Sequence, residues 1–138
     1  MVLFYSTDKT PCTERLWQTV AATTAPGAGT KRYRTLRGFT QALRRPGSRA
    51  AVAVLAVASR RELDRLVAVR ELLWDLRIIL VLPDDNPVSA AQGHLLRPRF
   101  AAYRDGSPKE IAAVLGRLAG LVNAGGTPGH IEKRGARG

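Results

Sequence analysis

The residues best able to do chemistry gather near the start of the chain, in Ser6-Thr7-Asp8-Lys9-Thr10-Pro11-Cys12-Thr13. Hydroxyls and a lysine just before a helix can receive an anion, because free backbone N–H groups and the helix dipole favour negative charge there. Thr7, Lys9, Thr10 and Thr13 are the candidate anion loop, and ordinary helix capping is the simpler use of the same hydroxyls. Cys12 lies close to that helix start, a setting that suits a nucleophilic cysteine. Neither His94 nor His130 lies near it in sequence to act as its base, so an incidental cysteine is the expected reading. One cysteine and two distant histidines make no zinc constellation. Asp84 and Asp85 are imaginable metal ligands, but a solvated loop with Asp85 or Asn86 capping the next helix explains them with less. The residues therefore predict no enzyme, no metal and no cofactor.

The elements that must hold these residues are legible from periodicity. Val2–Ser6 is an apolar run of strand formers. Thr10-Pro11 opens a helix in which Leu16, Trp17, Val20 and Ala21 share a face. The stretch Thr24–Gly29 reads as a loop, and 31–37 alternates like a strand exposed on one face, its arginines guarding an edge. A short helix is predicted over Phe39–Arg45 and stopped by Pro46-Gly47. Ala50–Ala58 has no polar residue and reads as a central parallel strand covered on both faces. Arg60–Arg77 carries a helical stripe through Leu63, Leu66, Val67, Val69, Leu73 and Leu76. Ile78–Leu82 is a second buried strand. Asn86-Pro87 starts a helix through Val88, Ala91 and Leu95 that Pro98 must end. Phe100–Tyr103 is a last short strand. Ser107-Pro108-Lys109-Glu110 is a capping box for a helix burying Ile111, Leu115, Leu118 and Val122.

Strand and helix thus alternate five times. Short connections and right-handed crossovers predict a three-layer α/β/α fold with a five-stranded parallel sheet of flavodoxin-like order 2-1-3-4-5. The functional rim should lie at the carboxyl ends of strands one, three and four. One domain is expected over 1–122, with a glycine-rich flexible tail over 123–138.

Composition bounds the rest. The 138 residues, 45% hydrophobic and 24% charged, suit one globular domain and not a disordered chain. No run is long and apolar enough for a membrane span, and residues 1–20 lack a signal-peptide pattern, so a cytoplasmic protein without membrane contact is expected. The net charge is +11, and seven of the eleven excess charges fall between Lys31 and Arg49. Arginine outnumbers lysine 18 to 4, which a GC-rich genome also produces. No helix-turn-helix, zinc finger or aromatic stacking platform accompanies the basic stretch or the tail residues Lys133, Arg134 and Arg137. A solvated edge is therefore expected in preference to specific nucleic-acid recognition.

Over residues 1 to about 122 the chain resembles the receiver domain of bacterial response regulators. The likeness rests on V-L-F-Y-S-T-D at the start, G-F-T-Q-A-L-R after strand two, I-I-L-V-L-P after the third helix and Y-R-D-G-S-P-K-E-I before the last. Receivers hold Mg²⁺ with an acidic pair after strand one and accept phosphate on an aspartate after strand three. The resemblance places these functions on Ser6, Thr7 and Ala58, none of which is acidic. The family's hydroxyl residue falls on Pro83 and its lysine on Arg104. An arginine cannot supply a compact ammonium, and an ion pair with Asp8 or Asp105 is an equal use for it.

The resemblance therefore implies a pseudo-receiver, unable to be phosphorylated on aspartate and acting as a regulatory protein-interaction module in bacterial signalling. Its contact face would be helix four, strand five and helix five, offering His94, Leu95, Leu96, Arg97, Tyr103 and Arg104 to a protein partner or a second copy. The alternative is a small anionic ligand, a flavin or nucleotide phosphate, in the first loop. That loop is similar to the phosphate loop of flavodoxins, although Thr10 and Pro11 intrude and Thr13 is displaced by one.

Overall fold

A computed structural model describes residues 2–23, 29–45, 52–104, 106 and 108–123, with side chains as far as 118. The predicted loop over 24–28, the Pro46-Gly47 stop, Ala50 and Ala51, Asp105, the Ser107 cap, the side chain of Val122 and the tail after 123 lie outside the described residues.

Strand β1 (Val2–Ser6) leads to helix α1 (Pro11–Thr23), then β2 (Thr30–Tyr33), α2 (Leu36–Arg44), β3 (Val52–Ala56) and α3 (Arg60–Ala68). The chain continues through β4 (Arg77–Leu82), α4 (Pro87–His94), β5 (Phe100–Tyr103) and α5 (Pro108–Asn123). The sheet runs β2-β1-β3-β4-β5, with every pairing parallel. This is the flavodoxin-like three-layer fold that the alternation of elements predicts.

Strand alternation sorts the core into two clusters. Val2, Phe4, Val54, Ala56 and Val81 pack under Leu16 and Val20 of α1 and Ile111 and Leu115 of α5. Leu3, Tyr5, Leu55, Leu80 and Leu82 pack under Phe39, Leu63, Leu66 and Leu96 on the opposite face. Both faces of β1, β3 and β4 are covered, which is why these strands read as unbroken apolar runs. No described helix is long and apolar enough to cross a membrane.

Several boundaries differ from the sequence reading. β2 stops at Tyr33, because Thr35 turns to cap α2 by accepting a hydrogen bond from the Gly38 N–H at 3.1 Å. α2 therefore starts three residues before Phe39. The stripe after Arg60 is not one helix: α3 ends at Ala68 and a single 3-10 turn, Arg70–Leu72, follows. There the Arg70 guanidinium takes the Val67 carbonyl at 2.9 Å, satisfying one acceptor freed by the helix end. Ala21 is exposed although it was grouped with the buried face of α1.

The largest departure concerns α4. Val88, Ala91 and Leu95 face solvent, while Ser89 and Gly93 are buried against the sheet. Gly93 permits this arrangement: a Cβ there would lie 2.7 Å from Leu80 Cδ2 and 3.2 Å from Leu82 Cδ2. A larger residue there would have to displace the ends of the Leu80 and Leu82 side chains, and the apolar stripe of the helix faces outward.

Candidate functional site

Parallel strands ending in register bring the C-terminal rim together. Ser6 is level with Ala56, and Ala56 with Val81. Just beyond this line, Asp8 and Arg104 form an ion pair between the loop after β1 and the residue after β5. The Arg104 guanidinium also donates to Thr13 Oγ1 at 2.8 Å, Thr10 Oγ1 at 3.2 Å and the Val57 carbonyl at 3.1 Å. Thr13 donates to Asp8 at 2.9 Å and Thr10 donates to it at 3.2 Å, while Thr10 Oγ1 accepts from the Thr13 N–H at 3.3 Å. Burial by itself would raise the Asp8 pKa. The hydrogen bonds from Arg104 and Thr13, with the Arg104 charge and the Thr10 hydroxyl, outweigh it and hold the carboxyl below its ordinary range.

Of the two partners open to Arg104 in the sequence, the geometry selects Asp8. Arg104 thus stitches the loops after β1, β3 and β5 into one closed network. Cys12, exposed at the start of α1, donates its thiol to the Arg104 carbonyl at 3.1 Å.

The second network was missed in the sequence. Glu62, in the first turn of α3, is buried, accepts the Thr7 hydroxyl, and receives the Ala58 N–H at 2.9 Å. Ser59 caps the same helix, accepting from the Glu62 N–H at 3.3 Å. The signal was present as Ser59-Arg60-Arg61-Glu62, a capping-box spacing whose glutamate reaches back here to the residue before the cap. Its carboxylate also lies beside Tyr5, whose phenol is pushed well above its ordinary pKa by burial first and by Glu62 second. Thr7 and Ala58, two positions on which the resemblance places a receiver's acidic groups, are therefore tied together by one glutamate. Ser6, the third, is fully buried, and its hydroxyl has no partner among the described residues.

The candidate anion loop is occupied from within. Thr10 and Thr13 bond to Asp8, Thr7 bonds to Glu62, and only Lys9 stands exposed without a described partner. The cavity beside Cys12, Thr13, Ala56 and Arg104 measures about 20 Å³, room for about one water molecule. A wider open cleft of about 360 Å³ lies between Pro83, Tyr103 and Arg104, but Asp84 and Asp85 border it with negative charge. Asn86, not Asp85, caps α4, accepting from the Val88 N–H at 2.8 Å. Among the described residues no three His, Cys, Asp or Glu side chains group as metal ligands.

The contact face implied by the resemblance is partly assembled. His94 and Leu95 are exposed at the end of α4, and Tyr103 is 42% exposed at the end of β5. Arg97 adopts the left-handed region (φ 55°) after α4 and lays its guanidinium 4.2 Å from the centre of the Trp74 ring. Two members do not belong: Leu96 is fully buried in the core, and Arg104 turns inward to Asp8. Between α4 and β5 runs a groove of about 170 Å³ bordered by Ala90, Gly93, His94, Ala101 and Tyr103.

Neither family profiles, curated proteins nor solved structures give a match to this chain.

Proposed function

We propose that this chain is a pseudo-receiver, unable to take phosphate on aspartate, that works as a regulatory docking module in bacterial signalling. The observation that carries the reading is the reversed packing of α4. Val88 and Leu95, 52% and 51% exposed, flank Ala91 on an outward apolar stripe of α4, while Ala90, Gly93 and His94 of the same helix border the groove that Tyr103 lines. Exposed apolar side chains grouped on one face mark interaction sites more often than scattered ones do. Aromatic and arginine side chains such as Tyr103 and Arg97 are the types that anchor interfaces.

The rim supports the same reading. Phosphotransfer in a receiver needs free carboxylates and a mobile cation, whereas here Asp8, Arg104 and Glu62 are each engaged in hydrogen bonds. A signal would then be set by docking itself and not by phosphate.

The test is photo-crosslinking in the native cell, with a benzoylphenylalanine placed in turn at Leu95, Tyr103 and Gln18, the last exposed on α1. The reading expects one and the same discrete product from positions 95 and 103 and none from 18. Products from position 18 alone, or none from 95 and 103, would refute it.

A further inference from the structure

From Arg15 to Arg61 the chain has ten Lys or Arg and no Asp or Glu, whereas elsewhere twelve basic residues meet eleven acidic ones. Almost the entire net charge therefore arises in one stretch; of its eight exposed described members, five lie on or beside β2 and α2, and Arg15, Arg60 and Arg61 lie on α1 and α3. Arg32 is removed from the β2–α2 surface. It pairs with Glu14 through both terminal nitrogens of its guanidinium and lies over the Phe4 and Trp17 rings. Lys31, Arg34, Arg37, Arg44 and Arg45 remain exposed. The side chains of these five make no ion pair or hydrogen bond with a described residue; Arg34 only adds to the attraction on Glu14 at longer range.

We infer that the β2–α2 side binds the phosphate backbone of a double-stranded nucleic acid, without reading its sequence. Arg37, Gln41 and Arg44 share the exposed face of α2, at spacings of four and three residues. Arg37 and Arg44 are two turns apart, a rise of about 10 Å. Two long guanidinium side chains at that separation can reach phosphates on opposite walls of a groove about 12 Å wide. Gln41 between them can add a hydrogen bond to a phosphate oxygen or a sugar.

The chemistry of the patch favours nucleic acid over the other polyanionic partners. The described large hydrophobic residues that stand exposed are Trp74, Val88, Leu95 and Tyr103, and none is on β2 or α2. A protein interface needs a desolvated apolar or aromatic core, and a membrane-surface helix needs apolar side chains to insert. Base stacking is also absent here: Tyr33 is turned onto Phe39, with ring centres 5.9 Å apart. What remains is charge at regular spacing, the signature of sequence-independent backbone binding.

The experiment is fluorescence anisotropy of the full chain with labelled DNA duplexes of about two helical turns. Two duplexes of unrelated sequence are titrated between about 50 and 200 mM salt. The double variant Arg37→Gln/Arg44→Gln is compared with Arg99→Gln/Arg117→Gln, which removes the same charge from exposed positions elsewhere. Both duplexes should bind alike. The first variant should weaken binding by about tenfold and lower the salt slope by about two, while the second shifts affinity by less than about twofold. Equal weakening by both variants would overturn the proposal, as would the absence of binding at low salt. Binding to phosphatidylserine vesicles but not to duplex, lost in the α2 variant, would overturn it in favour of a lipid surface. Circular dichroism of each variant checks that the fold is intact.

Discussion

The two lateral edges of the sheet are built from the same strand–loop–helix unit and present opposite chemistry. On the β2 side, α2 turns Phe39 and Thr40 inward and Arg37, Gln41 and Arg44 outward. On the β5 side, α4 turns Ser89 and Gly93 inward and Val88, Ala91 and Leu95 outward. The strands follow suit: β2 reads Thr-Lys-Arg-Tyr, whereas β5 reads Phe-Ala-Ala-Tyr with no charge of its own. Charge on an edge strand is a common guard against pairing with another chain, and β5 lacks it. The difference teaches that two copies of one unit at opposite edges of a sheet can expose charge on one flank and apolar side chains on the other, according to which residues each helix turns outward.

Substitutions can break this comparison, beginning with the largest effect. Leu95 and Leu96 are neighbours on opposite sides of the α4 surface. Leu96→Ala should cost about 2–5 kcal/mol in urea unfolding, through lost burial and a cavity. Leu95→Ala should stay within about 0.5 kcal/mol; a larger loss from Leu95→Ala than from Leu96→Ala would show that this segment packs the other way round. Next is Gly93→Ala, whose Cβ has no room against Leu80 and Leu82. Overpacking of this kind costs about 1–3 kcal/mol, and a neutral result would mean that the ends of Leu80 and Leu82 give way without cost.

A smaller effect concerns the rim between the two flanks. Asp8→Asn leaves the Arg104 guanidinium without its charged partner and should cost about 1–2 kcal/mol at pH 7. The folded-state pKa of Asp8 lies below its unfolded value. Its stabilising contribution is therefore complete above the unfolded value of about 4 and is lost as pH falls through the folded one. Urea midpoints measured from neutral to acid pH should fall less steeply for Asp8→Asn than for the parent; parallel curves would exclude the pair as a stabilising element. Smallest is Asn86→Ala, which removes the α4 cap and should cost about 1 kcal/mol by the same measurement.

How much of this was readable depended on what each element buries. β1 and β5 have the bounds that their sequences suggest, and β3 and β4 stand out because helices cover both faces. Helix boundaries were less legible where side chains intervene, as with Thr35 at the start of α2 and the Arg70 guanidinium at the end of α3. At the rim, Arg104 could be assigned a charged partner from sequence, but choosing Asp8 over Asp105 required the fold. Glu62 is hard to single out in the sequence because it stands among the charged residues Arg60, Arg61, Asp64 and Arg65, although Ser59 three residues earlier marks it as a capping partner. The orientation of α4 was not legible at all. Its apolar spacing is ordinary for a buried face, whereas the residues turned inward are the small Ser89 and Gly93.

The central claim is that the rim has given up phosphotransfer and leaves signalling to the α4–β5 flank. It is tested most directly by incubating the intact protein with acetyl phosphate and Mg²⁺ and recording its mass before and after hydroxylamine. The account predicts an unchanged mass throughout. A phosphoryl adduct that hydroxylamine removes, mapped to an aspartate of the rim, would contradict it, because hydroxylamine cleaves the acyl phosphate that a free carboxylate forms.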